Sequence, residues 1–149
     1  MTSNYQRTKA WLQACGKEQT PENLSVQIGV HLEEFCELLA TLRSDSEGYG
    51  KLLERTRTDL EWFAGKLKRR EQFVYIPIHM RTDALDALCD SEVTGNGVAY
   101  LAGFDKDAAD QEVLASNESK LEDGKAVILE GGKIGKGKDY KAPDLRGFV

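Results

Sequence analysis

The sequence predicts an all-α protein, a bundle of four to five helices ending in a C-terminal hairpin or ordered loop. Three observations carry this. Apolar residues recur at alternating steps of three and four through several long stretches. Capping residues and glycines flank those stretches. Strand-like runs are short: Ala126-Val127-Ile128-Leu129 follows Lys120, and Phe73 to Ile78 contains a proline that suits an extended connection. A length of 149 residues fits one domain, 1–149, with 121–149 as a tail.

The first helix runs from Asn4 to Cys15 with Trp11 and Leu12 on its apolar side, and Gly16 stops it. Thr20-Pro21-Glu22 starts the second, a capping hydroxyl before a proline at the first helical position. Leu24, Ile28, His31 or Leu32, Phe35, Leu39 and Leu42 extend it. Ser44 to Gly50 is polar, contains Gly48 and Gly50, and reads as a turn. Leu53, Thr56, Leu60, Phe63 and Leu67 mark a third helix. Its end carries the basic run Lys66 to Arg70, where the macrodipole favours cations and where a solvated face is expected. A fourth helix runs from a Thr82 cap to Gly103, and a fifth spans Asp105 to Lys120 through Ala109, Val113 and Leu114. Beyond it, Asp123-Gly124-Lys125 and Gly131-Gly132-Lys133 bracket the β-rich run, which suggests the hairpin or ordered loop. The segment Lys136 to Leu145 is too polar to build a core, so it lies on the helices or floats free.

Hydrophobic residues at 40% and charged ones at 30% place the chain among soluble globular proteins, and no apolar run is long enough to cross a bilayer. No apolar signal segment lies between Met1 and Ala10, so cytoplasmic residence is the default expectation. Cys15, Cys36 and Cys89 are widely spaced, odd in number and form no Cys-x-x-Cys pair, which argues against a disulfide framework or zinc knuckle and suits them as core fillers. His31 and His79 are too scattered for a soft-metal site. A net charge of −5 argues against a nucleic-acid partner.

Two columns of carboxylates stand out. Glu33, Glu34 and Glu37 fall in the second helix, and Asp83, Asp86 and Asp90 in the fourth, each set at spacings of three and four that share a helix face. Asp86 and Asp90 continue as Val93, Gly97 and Leu101, a stripe that reads as inward. Buried carboxylates need a neutralising partner, and an all-oxygen set suits Mg²⁺, Mn²⁺ or Ca²⁺. An ordinary solvated helix surface is the plainer reading of any one pair.

Near the C-terminus, Gly132-Lys133-Ile134-Gly135-Lys136-Gly137-Lys138 approaches a phosphate-binding P-loop, but Asp139 replaces the required Ser or Thr and no βαβ unit surrounds it. What remains is a cationic strip able to meet phosphates, or a solvated tail. No Gly-x-Ser-x-Gly elbow occurs, so a hydrolase built from this chain would activate water with carboxylates and metal.

These residues resemble the MazG-like, all-α nucleoside triphosphate pyrophosphohydrolase superfamily, which includes the phosphoribosyl-ATP pyrophosphohydrolases. Glu33, Glu34 and Glu37 match its Glu-Glu-x-x-Glu motif, and Asp90 matches the aspartate of its Glu-x-x-Asp motif. Ala87 stands where that motif has glutamate, with Asp86 or Asp83 close enough to substitute. Asp86 to Asp90, Gly103-Phe104-Asp105, Ser116-Asn117, Ser119-Lys120, Asp123-Gly124-Lys125 and Pro143-Asp144-Leu145 look like a branch carried by bacteria and phages, from about residue 24 onward. The resemblance implies a Mg²⁺ or Mn²⁺ site at Glu33, Glu34, Glu37, Asp86 and Asp90, with Glu34 and Glu37 catalytic. It implies substrate contacts at Asn117, Lys120, Lys133, Lys136 and Tyr140, and assembly as a homodimer or homotetramer. The implied reaction converts a nucleoside triphosphate, with a purine deoxynucleotide such as dGTP favoured, into monophosphate and pyrophosphate. A non-catalytic nucleotide-binding module and a phosphoribosyl-nucleotide pyrophosphohydrolase are the alternatives.

Overall fold

The computed structural model describes residues 2–129 and 134–149. Among them are five α-helices: α1 (Asn4–Ala14), α2 (Pro21–Thr41), α3 (Glu47–Lys68), α4 (Arg81–Ala102) and α5 (Lys106–Glu118). A two-stranded antiparallel ribbon of β1 (Leu121–Glu122) and β2 (Lys125–Ala126) follows. The all-α expectation holds, and no helix among the described residues is long and apolar enough to cross a membrane. The chain divides into two compact units, Gln19–Ile78 on the one hand and Met1–Glu18 with His79–Val149 on the other.

The Gln19–Ile78 unit is the α2–α3 hairpin. Thr20 caps α2 by accepting the Asn23 amide at 3.2 Å, with Pro21 at the first helical position. The short 42–46 connection returns the chain as α3, which begins at Glu47, inside the stretch the sequence presents as a turn. Gly29 sets how closely the helices approach: a Cβ there would lie 2.8 Å from the Ala64 carbonyl oxygen and 2.8 Å from Leu67 Cβ. Around this point Ser25, Cys36, Ala64 and Leu67 are buried, Leu67 completely. The Ser25 hydroxyl accepts the Val74 amide at 3.1 Å and ties down the extended 73–77 connection.

In the other unit α1 packs against α5. Arg7 donates Nε and Nη2 to the two carboxylate oxygens of Glu118 at 2.7 and 2.8 Å, and Nη1 to Gln111 Oε1 at 2.5 Å. The fork geometry of Arg suits such a bidentate grip. Gly103, at φ 83°, closes α4 in the left-handed region, with the Phe104 amide donating back to the Ala99 carbonyl at 3.0 Å. The two-residue turn Asp123-Gly124 has positive φ at both positions, 50° and 75°, the turn whose twist fits a hairpin.

The C-terminal segment lies on this unit and is strapped to it by side chains. Glu122 Oε1 accepts the Lys138 amide at 2.7 Å, Ser119 Oγ accepts that of Lys141 at 2.9 Å, and Glu112 Oε1 accepts that of Asp144 at 3.2 Å. Gly137 fits beneath because a Cβ there would come 2.8 Å from the Lys120 carbonyl oxygen.

Three expectations about α4 are corrected. It opens at Arg81 behind Met80, without Thr82 as its cap. The stripe Asp86, Asp90, Val93 and Leu101 is exposed, with only Gly97 half-buried, and Leu101 retains 85% of its accessible surface. Cys89 is exposed, unlike the buried Cys15 and Cys36. The physical reason is that α4 packs on α5, with Ala99 near its C-terminal end buried, while among the described residues its preceding turns stay exposed apart from the half-buried Ala84 and Gly97.

Candidate functional site

The groove between α2 and α3 takes in Glu33 and Glu37 of the first acid column, and Glu34 is not part of its lining. Gly29, Glu33 and Cys36 share the face of α2 turned to α3, since they are four and three residues apart. A cavity of 460 Å³ opens beside them, lined by Glu33, Cys36 and Glu37 from α2 and by Glu61, Ala64, Gly65, Lys68 and Arg69 along α3 and its end. Glu33 is half-buried, while Glu34 and Glu37 are exposed. The Lys68 ammonium donates to Glu33 Oε2, and the Arg57 guanidinium to Glu61 Oε1. Arg69 turns back over Gly65 and donates Nε to Glu71 Oε1 at 2.6 Å. That carboxylate also accepts Lys66 at 2.6 Å. The Arg69 and Lys66 hydrogen bonds lower the Glu71 pKa to about 2. At the back of the cavity the Cys36 thiol donates to the Arg57 carbonyl at 3.8 Å. Burial first, then the Glu61 charge, push its pKa up, so it stays a neutral thiol.

The second column lies in the other unit. Asp86 and Asp90 are exposed on α4, and their carboxylates make no hydrogen bond or ion pair among the described residues. Ser91 and Thr94 donate instead to the Ala87 and Asp90 carbonyls behind them, both at 2.8 Å. Among the described residues no group of three or more His, Cys, Asp or Glu side chains is gathered closely enough to hold a metal ion.

The candidate substrate contacts divide in the same way. Lys120 donates to Asn117 Oδ1 at 2.8 Å, so the structure does bring this pair together. The Lys120 ammonium also stands 5.9 Å from the centre of the Trp11 ring, and the Trp11 indole nitrogen is buried without a hydrogen-bond partner among the described residues. Lys136 lies 4.6 Å over the Tyr140 ring. Lys133 lies outside the described residues.

Sequence reasoning did not single out Glu61, Lys68 or Trp11. For the first two a signal existed: they sit seven apart on one face of α3, and a short connection forces α3 to lie antiparallel to α2. No pattern in the chain announces that Trp11 of α1 meets Lys120 beyond α5. No known family model, curated protein or solved structure matches this chain.

Proposed function

We propose that the chain is a metal-dependent nucleotide pyrophosphohydrolase of the MazG-like all-α type, cleaving a nucleoside triphosphate between the α and β phosphates. The observation that carries this reading is the setting of Glu33 and Glu37: they line a 460 Å³ cavity, and a cation, the Lys68 ammonium, already stands on Glu33. Their carboxylate oxygens are the hard donors that Mg²⁺ or Mn²⁺ takes. The reading assigns Glu33, Glu34 and Glu37 of α2 as ligands, and Asp86 and Asp90 of α4 enter it through the sequence resemblance alone.

When bound, the ion neutralises phosphate oxygens and stabilises the charge of an in-line displacement. The chain supplies the rest. A glutamate among Glu34 and Glu37 takes the proton of the attacking water, whose oxygen joins the α phosphorus as the bridging bond to the β phosphate breaks. Lys120, held by Asn117, offsets negative charge, and Lys136 with Tyr140 closes over the phosphates or base. Homodimer or homotetramer assembly belongs to the same reading, supported by the exposed Leu85, Val98 and Leu101 on α4.

The test is incubation with each common ribo- and deoxyribonucleoside triphosphate and Mg²⁺, Mn²⁺ or EDTA, with products resolved by ion exchange. Monophosphate plus pyrophosphate, abolished by EDTA, is the expected result. Diphosphate plus phosphate would overturn the cleavage position. A second reading, a non-catalytic nucleotide-binding module, is favoured by Ala87 in place of the motif glutamate. Nucleotide binding without turnover would select it.

A further inference from the structure

Helices α1 and α5 run side by side in the same direction, because their contacts advance together: Asn4 donates to Asp110 at 3.3 Å, Arg7 grips Glu118, and Trp11 meets Lys120. Their C-terminal ends therefore share one end of the pair. Gly16, at φ 69°, closes α1, and the Lys17 amide donates back to the Leu12 carbonyl at 3.0 Å, which sets Lys17 at that end, beyond the buried Cys15. Lys120 stands just beyond α5.

The polar groups gathered there are donors without acids. Lys17 and Lys120 are half-buried, and neither ammonium has a carboxylate partner among the described residues. The neighbouring acids are occupied: Glu118 holds Arg7 with both oxygens, Glu122 accepts the Lys138 amide, and Glu18 has a partner of its own. Asn117 turns its oxygen to Lys120, so its amide nitrogen remains a donor, with no acceptor among the described residues. The buried Trp11 indole N–H is a further donor in the same position. Both ammonium charges reach the Cys15 thiol: burial, the larger effect, raises its pKa, and Lys17 and Lys120 each lower it. A half-buried cation without a counter-charge is costly, and an anion from outside the chain removes that cost.

We infer that the shared end of α1 and α5 is an anion site, in which Lys17 and Lys120 together hold a phosphoryl group with Asn117 as a third donor. Lysine suits phosphate as a point charge. The site adds α1 to the proposed role of Lys120, although α1 precedes the family resemblance, and it rests on that reading only for the nucleotide as the source of the phosphate.

The experiment uses the full chain carrying Trp62→Phe, which leaves Trp11 as the one tryptophan and its emission as the reporter. Inorganic pyrophosphate and, separately, dGTP are titrated in EDTA at constant ionic strength, with calorimetry as the second readout. Lys17→Met and Lys120→Met are each expected to weaken pyrophosphate binding about three- to tenfold, between the worth of a surface ion pair and that of a hydrogen bond to a charged group. Lys9→Met, which removes the same charge from an exposed position on α1, is expected to change nothing. Circular dichroism checks the fold, and Lys17→Gln replaces the Met variant if that one unfolds.

Pyrophosphate binding that ignores Lys17→Met, that weakens equally in Lys9→Met, or that is absent from the Trp62→Phe protein overturns the inference. The same losses with dGTP put the nucleotide's own phosphates in the site, whereas dGTP binding untouched by Lys17→Met removes the nucleotide as the source. Because binding is read without metal, hydrolysis can fail with the site intact, or persist at the wild-type rate in Lys17→Met with the site lost.

Discussion

On α2 the carboxylates of Glu33 and Glu37 line a cavity walled by α3, whereas on α4 those of Asp86 and Asp90 stand exposed with no hydrogen bond or ion pair among the described residues. The two columns have the same spacing and similar apolar neighbours. What separates them is the partner: α2 has α3 across a glycine contact along its length, and among the described residues α4 has far less packed against it, with Ala99 its buried residue. Spacing decides which carboxylates share a face, and packing decides whether that face is a site. Glu33 is matched by a cation in its groove, while among the described residues Asp86 has none.

Glu37→Ala and Asp90→Ala test that difference most severely. Under the proposed function each lowers turnover by about 10²- to 10⁴-fold, the range for losing a general base or an equivalent group, with the helical signal preserved. Steady-state hydrolysis and circular dichroism read both. Loss at Glu37 with full activity at Asp90 would confine the chemistry to the α2–α3 cavity. Collapse of the fold in either variant would make that acid structural.

A glycine in each region breaks the comparison at the level of stability. Gly29→Ala places a Cβ against backbone and Leu67 Cβ at 2.8 Å, so α2 and α3 must move apart, at a cost of about 1–3 kcal/mol. Gly97→Ala meets nothing within 4 Å and gains up to about 1 kcal/mol of helix propensity. Urea unfolding measures the two opposite signs. A loss of stability at Gly97 would mean that a second surface covers α4, which a concentration-dependent midpoint would corroborate.

Much of the architecture was legible in the chain. Thr20-Pro21 announces α2, Gly103 closes α4, and Asp123-Gly124 makes the hairpin, because each is local chemistry acting on its own backbone. The acid columns were legible for the same reason, being a matter of spacing along one element, whereas Asn117 and Lys120 were singled out by the family resemblance, and the structure joins them across the end of α5. The inward reading of Val93 and Leu101 failed because periodicity identifies an apolar face without supplying what covers it. Cys89 failed with it. Lys68 on Glu33 joins residues of two helices, and the basic run that contains Lys68 reads as solvated until α3 is placed against α2.

Within the unit that carries α4, the α1–α5 contact has an acid limit. The Arg7 hydrogen bond holds the Glu118 carboxyl below its ordinary value of 4.5. A depressed carboxylate contributes stability above the unfolded value and loses it as pH falls through the folded one, so the contact weakens only below about pH 4.5. Hydrogen exchange across α1 should therefore accelerate in that acid range, and Glu118→Gln should show weaker protection at neutral pH with little further change on acidification. Unchanged protection in wild type down to its acid unfolding would mean that packing alone holds α1.

The smallest effect belongs to the strapped C-terminal segment. Its hydrogen bonds at Lys138 and Lys141 are exposed, so Glu122→Ala or Ser119→Ala should change global stability by no more than about 0.5–1.5 kcal/mol. The local signature is sharper than the global one. Glu122→Ala is expected to speed exchange of the Lys138 amide, and Ser119→Ala that of Lys141, with α2 and α3 amides unaffected. Neither change touches Lys136 or Tyr140, so a rise in the Michaelis constant with kcat preserved would show that the straps set where those two side chains stand. If both amides keep their protection, the Gly137 contact beneath Lys120 holds the segment by itself, and Gly137→Ala becomes the change that frees it.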